Sequence, residues 1–151
     1  MAGITGKRGV SWLARLSRRI ATWLGRSAPD GRDGVWHRGE DYAAAYLANL
    51  GYVILERNAV TPRGEADMLA RDPDGRTLVI VEVKARTVGR NARSDTRPPE
   101  AAFTRAKRRR LRAIASHLAR SNAGSAVRVD LVAVELHDSA PPTIRHYPRA
   151  A

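Results

Sequence analysis

The segment from residue 64 to residue 86 constrains the fold of this chain most, because it reads as two strands joined by a tight turn. The turn sequence is Asp72-Pro73-Asp74-Gly75, which is rich in residues that favour turns. The second strand, about Arg76 to Ala85, is apolar on both faces for most of its length, which is typical of a covered central strand. Side chains alternate along a strand, so one face carries Leu78, Ile80, Glu82 and Lys84.

Glu82 is therefore predicted to be partly desolvated, and an unpaired buried carboxylate is costly. Either Lys84 or a bound divalent cation would remove that cost. The first strand, about Glu65 to Ala70, supplies further acids. If Asp72 faces Gly75 across the turn, Glu65 faces Glu82, and a register shifted by two places Asp67 opposite Glu82 instead.

Both registers put Glu65, Asp67 and Glu82 on one face, whereas a shift by one residue would separate them. Carboxylates this close repel each other without a counter-ion. Hard oxygen ligands of this kind suit Mg²⁺ or Mn²⁺, so we expect one or two such ions here.

A third acid comes from a helix predicted from Trp36 to Leu50 and ended by Gly51. Glu40 falls on the apolar stripe of this helix, where a solvated glutamate is not expected. A further acid, Asp130, interrupts an apolar strand and is interpreted as a partner of local donors or of an arginine.

The remaining pattern predicts an α-β-β-β-α-β order. A strand covers about Tyr52 to Asn58, and a long helix runs from Pro99 or Glu100 to Arg120 with Phe103, Ala106, Leu111, Ile114 and Leu118 inside. A last long strand covers Val127 to Leu136, and Thr143 to Tyr147 forms a short edge strand. A helix between two strands implies a crossover, so the last long strand should run parallel to one of the first three. The fold class is α/β, a mixed sheet flanked by helices.

Positive charge is concentrated in one part of the chain. The net charge is +12, and residues 84–120 carry twelve Lys or Arg against two acids. This pattern favours a nucleic-acid partner, and the alternative is an arginine-rich composition on a solvated helix face. The candidate phosphate contacts are Arg86, Arg105, Lys107, Arg108, Arg109, Arg110 and Arg112.

Two regions are predicted: a basic amphipathic extension and linker over residues 1–34, and one domain over residues 35–148. The extension could contact an anionic membrane or a partner, pack on its own domain, or form a disordered leader. The absence of cysteine excludes disulfides and thiolate metal sites. No apolar run has membrane length and the start lacks a secretory pattern, so we expect a cytoplasmic protein.

Four motifs carry a family resemblance: Gly39-Glu40, Gly64-Glu65-Ala66-Asp67, Glu82-Val83-Lys84-Ala85-Arg86, and Lys107 in a basic helix. Over about residues 36–136 the chain resembles the UPF0102 (YraN) family, which is similar to PD-(D/E)xK nucleases and archaeal Holliday-junction resolvases. The resemblance implies a restriction-endonuclease-like fold. It also implies Asp67 and Glu82 as metal ligands, Lys84 as the catalytic lysine and Glu40 as the helix-borne acid that completes the metal shell. Glu65 and Arg86 match family positions without an assigned role.

The resulting hypothesis is a Mg²⁺-dependent endonuclease that hydrolyses DNA phosphodiesters, with branched DNA as one candidate substrate and a homodimer as one candidate assembly. A first alternative is a non-catalytic nucleic-acid-binding module of the same fold. A second is a scaffold anchored to a membrane or partner through residues 1–34.

Overall fold

The computed structural model describes residues 32–89, 97–122 and 125–151. The extension predicted over residues 1–34 lies almost entirely outside these ranges and stays a prediction. The described elements are helix α1 (Arg32–Asn49), strands β1 (Val53–Thr61), β2 (Gly64–Arg71) and β3 (Leu78–Val88), helix α2 (Arg105–Ser121), and strands β4 (Val127–His137) and β5 (Thr143–Tyr147).

The five strands form one mixed sheet in the order β1-β2-β3-β4-β5. Strands β3 and β4 run parallel, and every other neighbouring pair is antiparallel. The predicted crossover is confirmed, since α2 lies between the parallel strands in the sequence. With a helix on each face of the sheet, the α/β architecture is compatible with a restriction-endonuclease-like fold.

The sheet separates two hydrophobic cores, because alternate residues of β3 point to opposite faces. On one face, Ala43 and Leu47 of α1 pack with the valines of β3. On the other face, Leu111 and Ile114 of α2 pack with Leu78 and Ile80. This division confirms the predicted faces of β3. It also places Glu82 and Lys84 on the side covered by α2.

Helix α2 begins later than the sequence predicted. A short 3-10 helix covers Pro99–Ala102, and Thr104 then caps α2 by accepting a hydrogen bond from the Lys107 N–H at 3.2 Å. Threonine is a good N-cap because its hydroxyl satisfies an amide that has no partner within the helix. With the helix so placed, Ala106 is exposed, and its predicted inner position was wrong.

Helix α1 approaches β3 closely at one position. A Cβ atom built on Gly39 would lie 2.3 Å from the Cβ of Ala85, far inside van der Waals contact. Only glycine permits this approach, which sets the distance between the start of α1 and the carboxyl end of β3. In the part of the chain that the structure describes, no helix combines the length and apolar character needed to cross a membrane.

Candidate metal centre and nucleic-acid interface

The register between β2 and β3 decides which acids meet. Met68 pairs with Val81 and Leu69 pairs with Ile80. Continued by one residue, this register places Asp67 opposite Glu82. Of the two registers considered from the sequence, the one shifted by two residues is therefore confirmed.

The loop between these strands is longer than predicted, which explains the register. The predicted turn forms, since the Gly75 N–H donates to the Asp72 carbonyl at 2.9 Å. The Asp72 N–H, however, donates to the Thr77 carbonyl at 2.9 Å, so Asp72 faces Thr77 across the loop rather than Gly75. The Asp74 carboxylate holds the loop by accepting hydrogen bonds from the N–H groups of Arg76 and Thr77 at 2.7 and 2.8 Å. Aspartate commonly stabilises turns in this way.

Four charged side chains meet near the end of β3. Glu82 is fully buried. The Lys84 ammonium donates a hydrogen bond to Oε1 of Glu82 at 2.5 Å. The Lys107 ammonium lies 2.9 Å from Oε2 of Glu82 as an ion pair, but among the described residues this oxygen accepts no well-aligned hydrogen bond. Asp67 accepts a hydrogen bond from the Val83 N–H through Oδ2 at 2.7 Å. The cluster of Asp67, Glu82, Lys84 and Lys107 is hereafter called the β3 cluster.

The environment of the β3 cluster disfavours the ionisation of Asp67. Burial, and next the charge of Glu82, raise the pKa of Asp67 to about 7. The Val83 N–H, Lys107 and Lys84 act in the opposite direction but do not cancel these effects. Asp67 therefore keeps its proton up to nearly neutral pH, and a cation bound beside it would favour loss of that proton.

Glu40 lies outside the β3 cluster, because α1 covers the opposite face of the sheet. It is only 2% exposed, and its Oε1 has no hydrogen-bond partner among the described residues. Burial raises the pKa of Glu40, while a hydrogen bond from Trp36 and the charge of Arg57 oppose the shift. Helix α1 reaches the cluster through Trp36, whose ring centroid lies 5.0 Å from the Lys84 ammonium. A ligand role for Glu40 stays a prediction.

Glu65 also lies apart from the acids with which it was grouped. It is exposed, whereas the neighbouring Ala66 packs in the core beneath α2 together with Leu69. The strand alternation is therefore interrupted between Ala66 and Leu69. The interruption lies beside Asn58 of β1, which has a positive φ of 50°. The expectation that Glu65 shares a face with Asp67 and Glu82 was wrong for this reason.

Asp130 is buried and fully engaged by local donors, as predicted. Its carboxylate accepts hydrogen bonds from Arg128 Nε at 2.9 Å and from the Arg149 N–H at 3.1 Å, and it lies 2.9 Å from His146 Nε2. These contacts lower the pKa of Asp130 despite its burial. The group stabilises the fold at a distance from the β3 cluster.

The seven predicted phosphate contacts fall into exposed and paired residues. Lys107 is paired with Glu82. Five of the seven are exposed on α2, namely Arg105, Arg108, Arg109, Arg110 and Arg112. Arg86, by contrast, pairs with Glu135 on the adjacent strand, with its Nε at 2.9 Å from Oε1, and donates to the Arg97 carbonyl at 2.6 Å. The parallel register of β3 and β4 places Glu135 directly beside Arg86.

Sequence reasoning assigned Lys107 to phosphate contact and did not foresee its contact with Glu82. The helical spacing contains that information, since Lys107 lies four residues before Leu111 and seven before Ile114. It therefore belongs to the buried stripe of α2 and points toward the sheet. The contribution of Trp36 was also missed, and the sequence offers no pattern that would have placed its ring against Lys84.

Among the described residues, no three histidine or carboxylate side chains lie close enough to hold a metal ion together. The oxygen donors at the β3 cluster are the carboxylates of Asp67 and Glu82. These two carboxylates are hard oxygen ligands of the kind Mg²⁺ binds while keeping several waters.

The fold and the cluster together define an α/β domain with a mixed sheet and a paired-carboxylate, paired-lysine site at the end of its central strand. The model of the uncharacterised protein family UPF0102 matches residues 39–134, and the chain belongs to that family. A UPF0102 protein of Anaeromyxobacter dehalogenans is 42% identical over 123 residues, which cover 80% of this chain and 86% of that protein. One from Mycobacterium sp. strain KMS is 36% identical over 132 residues, covering 84% and 94%, respectively. One from Caulobacter vibrioides is 40% identical over 119 residues, covering 77% and 85%.

Proposed function

We propose that this chain binds nucleic acid and hydrolyses its phosphodiesters with a divalent metal ion, and that DNA is the substrate. The observation that carries the proposal is the β3 cluster. It sets Asp67 opposite Glu82, with Lys84 on the same face of β3, beside a helix that exposes six arginines. Paired carboxylates next to a lysine and a cationic surface suit cleavage of a polyanion.

The residues present fit Mg²⁺ or Mn²⁺. Burial and the nearby charge of Glu82 raise the pKa of Asp67, and a divalent ion bound by both carboxylates would favour the ionised form of Asp67. Asp67 and Glu82 would hold the ion, and Glu40, which is hydrogen-bonded to Trp36 beside Lys84, would complete its shell. When bound, Mg²⁺ polarises a phosphate and makes a bound water more acidic.

The other residues would bind and orient the substrate. Lys84 lies on the same face as Glu82, and its ammonium could stabilise charge that develops on the phosphoryl oxygens. Trp36, beside that ammonium, restricts where it can move. The exposed arginines of α2 would hold backbone phosphates without reading bases, so we expect little sequence preference.

The test is cleavage of labelled linear, flapped and four-way-junction DNA with Mg²⁺ or Mn²⁺. We expect the wild type to cut and both Glu82→Gln and Lys84→Met to lose cutting. Asp138→Asn, which changes an exposed acid into an amide outside the cluster, is the matched control and should cut normally. Metal-dependent cleavage that survives Glu82→Gln would refute the proposal.

One observation favours a second candidate function, a nucleic-acid-binding module without catalysis. Both carboxylate oxygens of Glu82 already have a lysine partner, so the cluster can be neutral without a metal ion. In that case DNA binding would depend on the α2 arginines, would be unchanged by Glu82→Gln and would produce no cleavage with any divalent ion.

A further inference from the structure

We infer that Lys107 is a displaceable counter-ion of Glu82, which nucleic-acid phosphates draw away so that a metal ion can bind in its place. Metal binding and nucleic-acid binding at the β3 cluster would then be coupled. The inference rests on the proposed metal centre and specifies how that centre is regulated.

The two lysines on Glu82 differ in how firmly they are held. Lys84 lies two residues from Glu82 on the same face of the same strand, and its ammonium also lies over the Trp36 ring. Lys107 reaches Glu82 from a different element, across the space between α2 and the sheet. Its side chain is 25% exposed.

The backbone of Lys107 is held by the helix, whereas its ammonium is held through the ion pair with Glu82. The Thr104 cap holds its N–H, which determines where the side chain leaves the helix. The flexible four-carbon stem can still carry the ammonium from Glu82 toward solvent without any movement of α2. The neighbouring Arg108 and Arg109 are exposed, so phosphates bound there would lie close to the swung-out ammonium.

Lys107 and a metal ion would compete for the same oxygen. Glu82 is fully buried, so bulk water cannot solvate its Oε2 when Lys107 leaves. The Lys107 ammonium lies 2.9 Å from that oxygen and occupies the position where a cation would coordinate. A phosphate that pairs with Lys107 therefore leaves the Oε2 atom of Glu82 without a counter-ion, which favours binding of a metal ion there.

Coupling between two binding sites typically changes affinity about 5–150-fold, and we expect on the order of tenfold here. Because linkage is reciprocal, Mn²⁺ should tighten DNA binding by the same factor. Removing the Lys107 charge should give tight metal binding without DNA. It should also abolish the gain in Mn²⁺ affinity caused by DNA and the gain in DNA affinity caused by Mn²⁺.

The experiment measures Mn²⁺ binding by electron paramagnetic resonance, with and without a short DNA duplex. The proteins are the wild type, Lys107→Met, Lys107→Gln and Arg76→Met. The last variant removes an exposed positive charge in the loop between β2 and β3, outside both the β3 cluster and the α2 arginines. Mn²⁺ bound by Glu82→Gln is subtracted, which removes binding to DNA and to other surfaces. Thermal unfolding verifies that each variant is folded.

We expect the wild type and Arg76→Met to bind Mn²⁺ weakly alone, and both to bind it about tenfold more tightly with DNA. Both Lys107 variants should bind tightly in either condition. Wild-type Mn²⁺ affinity in both Lys107 variants without DNA would overturn the inference while leaving the metal centre intact. If no protein binds more Mn²⁺ than Glu82→Gln, with or without DNA, the metal centre itself is refuted and the inference falls with it.

Discussion

The close approach of α1 to β3 predicts that Gly39→Ala destabilises the protein. The added methyl would lie 2.3 Å from the Ala85 Cβ, about 1.2 Å inside the normal carbon–carbon contact distance. Relieving an overlap of this depth between two short, rigid side chains should cost about 3 kcal/mol, the upper end for overpacking. Alanine gains about 1 kcal/mol over glycine in a helix, so we expect a net loss of about 2 kcal/mol.

The assay is urea unfolding followed by circular dichroism, arranged as a double-mutant cycle with Ala85→Gly. In the Ala85→Gly background the overlap is absent, so Gly39→Ala should stabilise the protein by about 1 kcal/mol. The reverse change at an exposed site of α1, Ala45→Gly, measures the helix-propensity contribution separately. A Gly39→Ala protein as stable as the wild type would show that α1 does not pack on β3 as described.

Three further predictions concern charged groups. Asp130→Ala should destabilise the fold by about 3 kcal/mol in urea unfolding, because it leaves the Arg149 N–H without its acceptor and Arg128 with Asp72 as its remaining ion-pair partner among the described residues. The affinity for Mg²⁺, measured by calorimetry, should rise about tenfold per pH unit up to pH 7 and then level off, since Asp67 must lose its proton to bind metal; an affinity independent of pH would contradict this. Hydrogen bonds from Arg145 lower the pKa of Glu100 to about 2, so its stabilisation is complete above pH 4.5 and lost as the pH falls to 2. Glu100→Gln should therefore flatten the dependence of thermal stability on pH across that range.

The sequence by itself determined the features that depend on local periodicity. Alternation along β3 assigned Glu82 and Lys84 to one face, and the helical spacing of α1 predicted that Glu40 is buried. Both results follow because strand and helix repeats fix the direction of each side chain relative to its neighbours. The order of elements also followed from the sequence. So did the parallel pairing of β4 with β3, because a helix between two strands of one sheet normally makes a crossover that leaves them parallel.

Only the tertiary structure decided which of these side chains meet. The loop held by Asp74 set the register that places Asp67 opposite Glu82, and two registers were compatible with the sequence. Packing of α2 on the sheet brought Lys107 onto Glu82, and packing of α1 brought Trp36 against Lys84. Contacts between elements distant in the chain depend on loop geometry and interface packing, which no local repeat encodes.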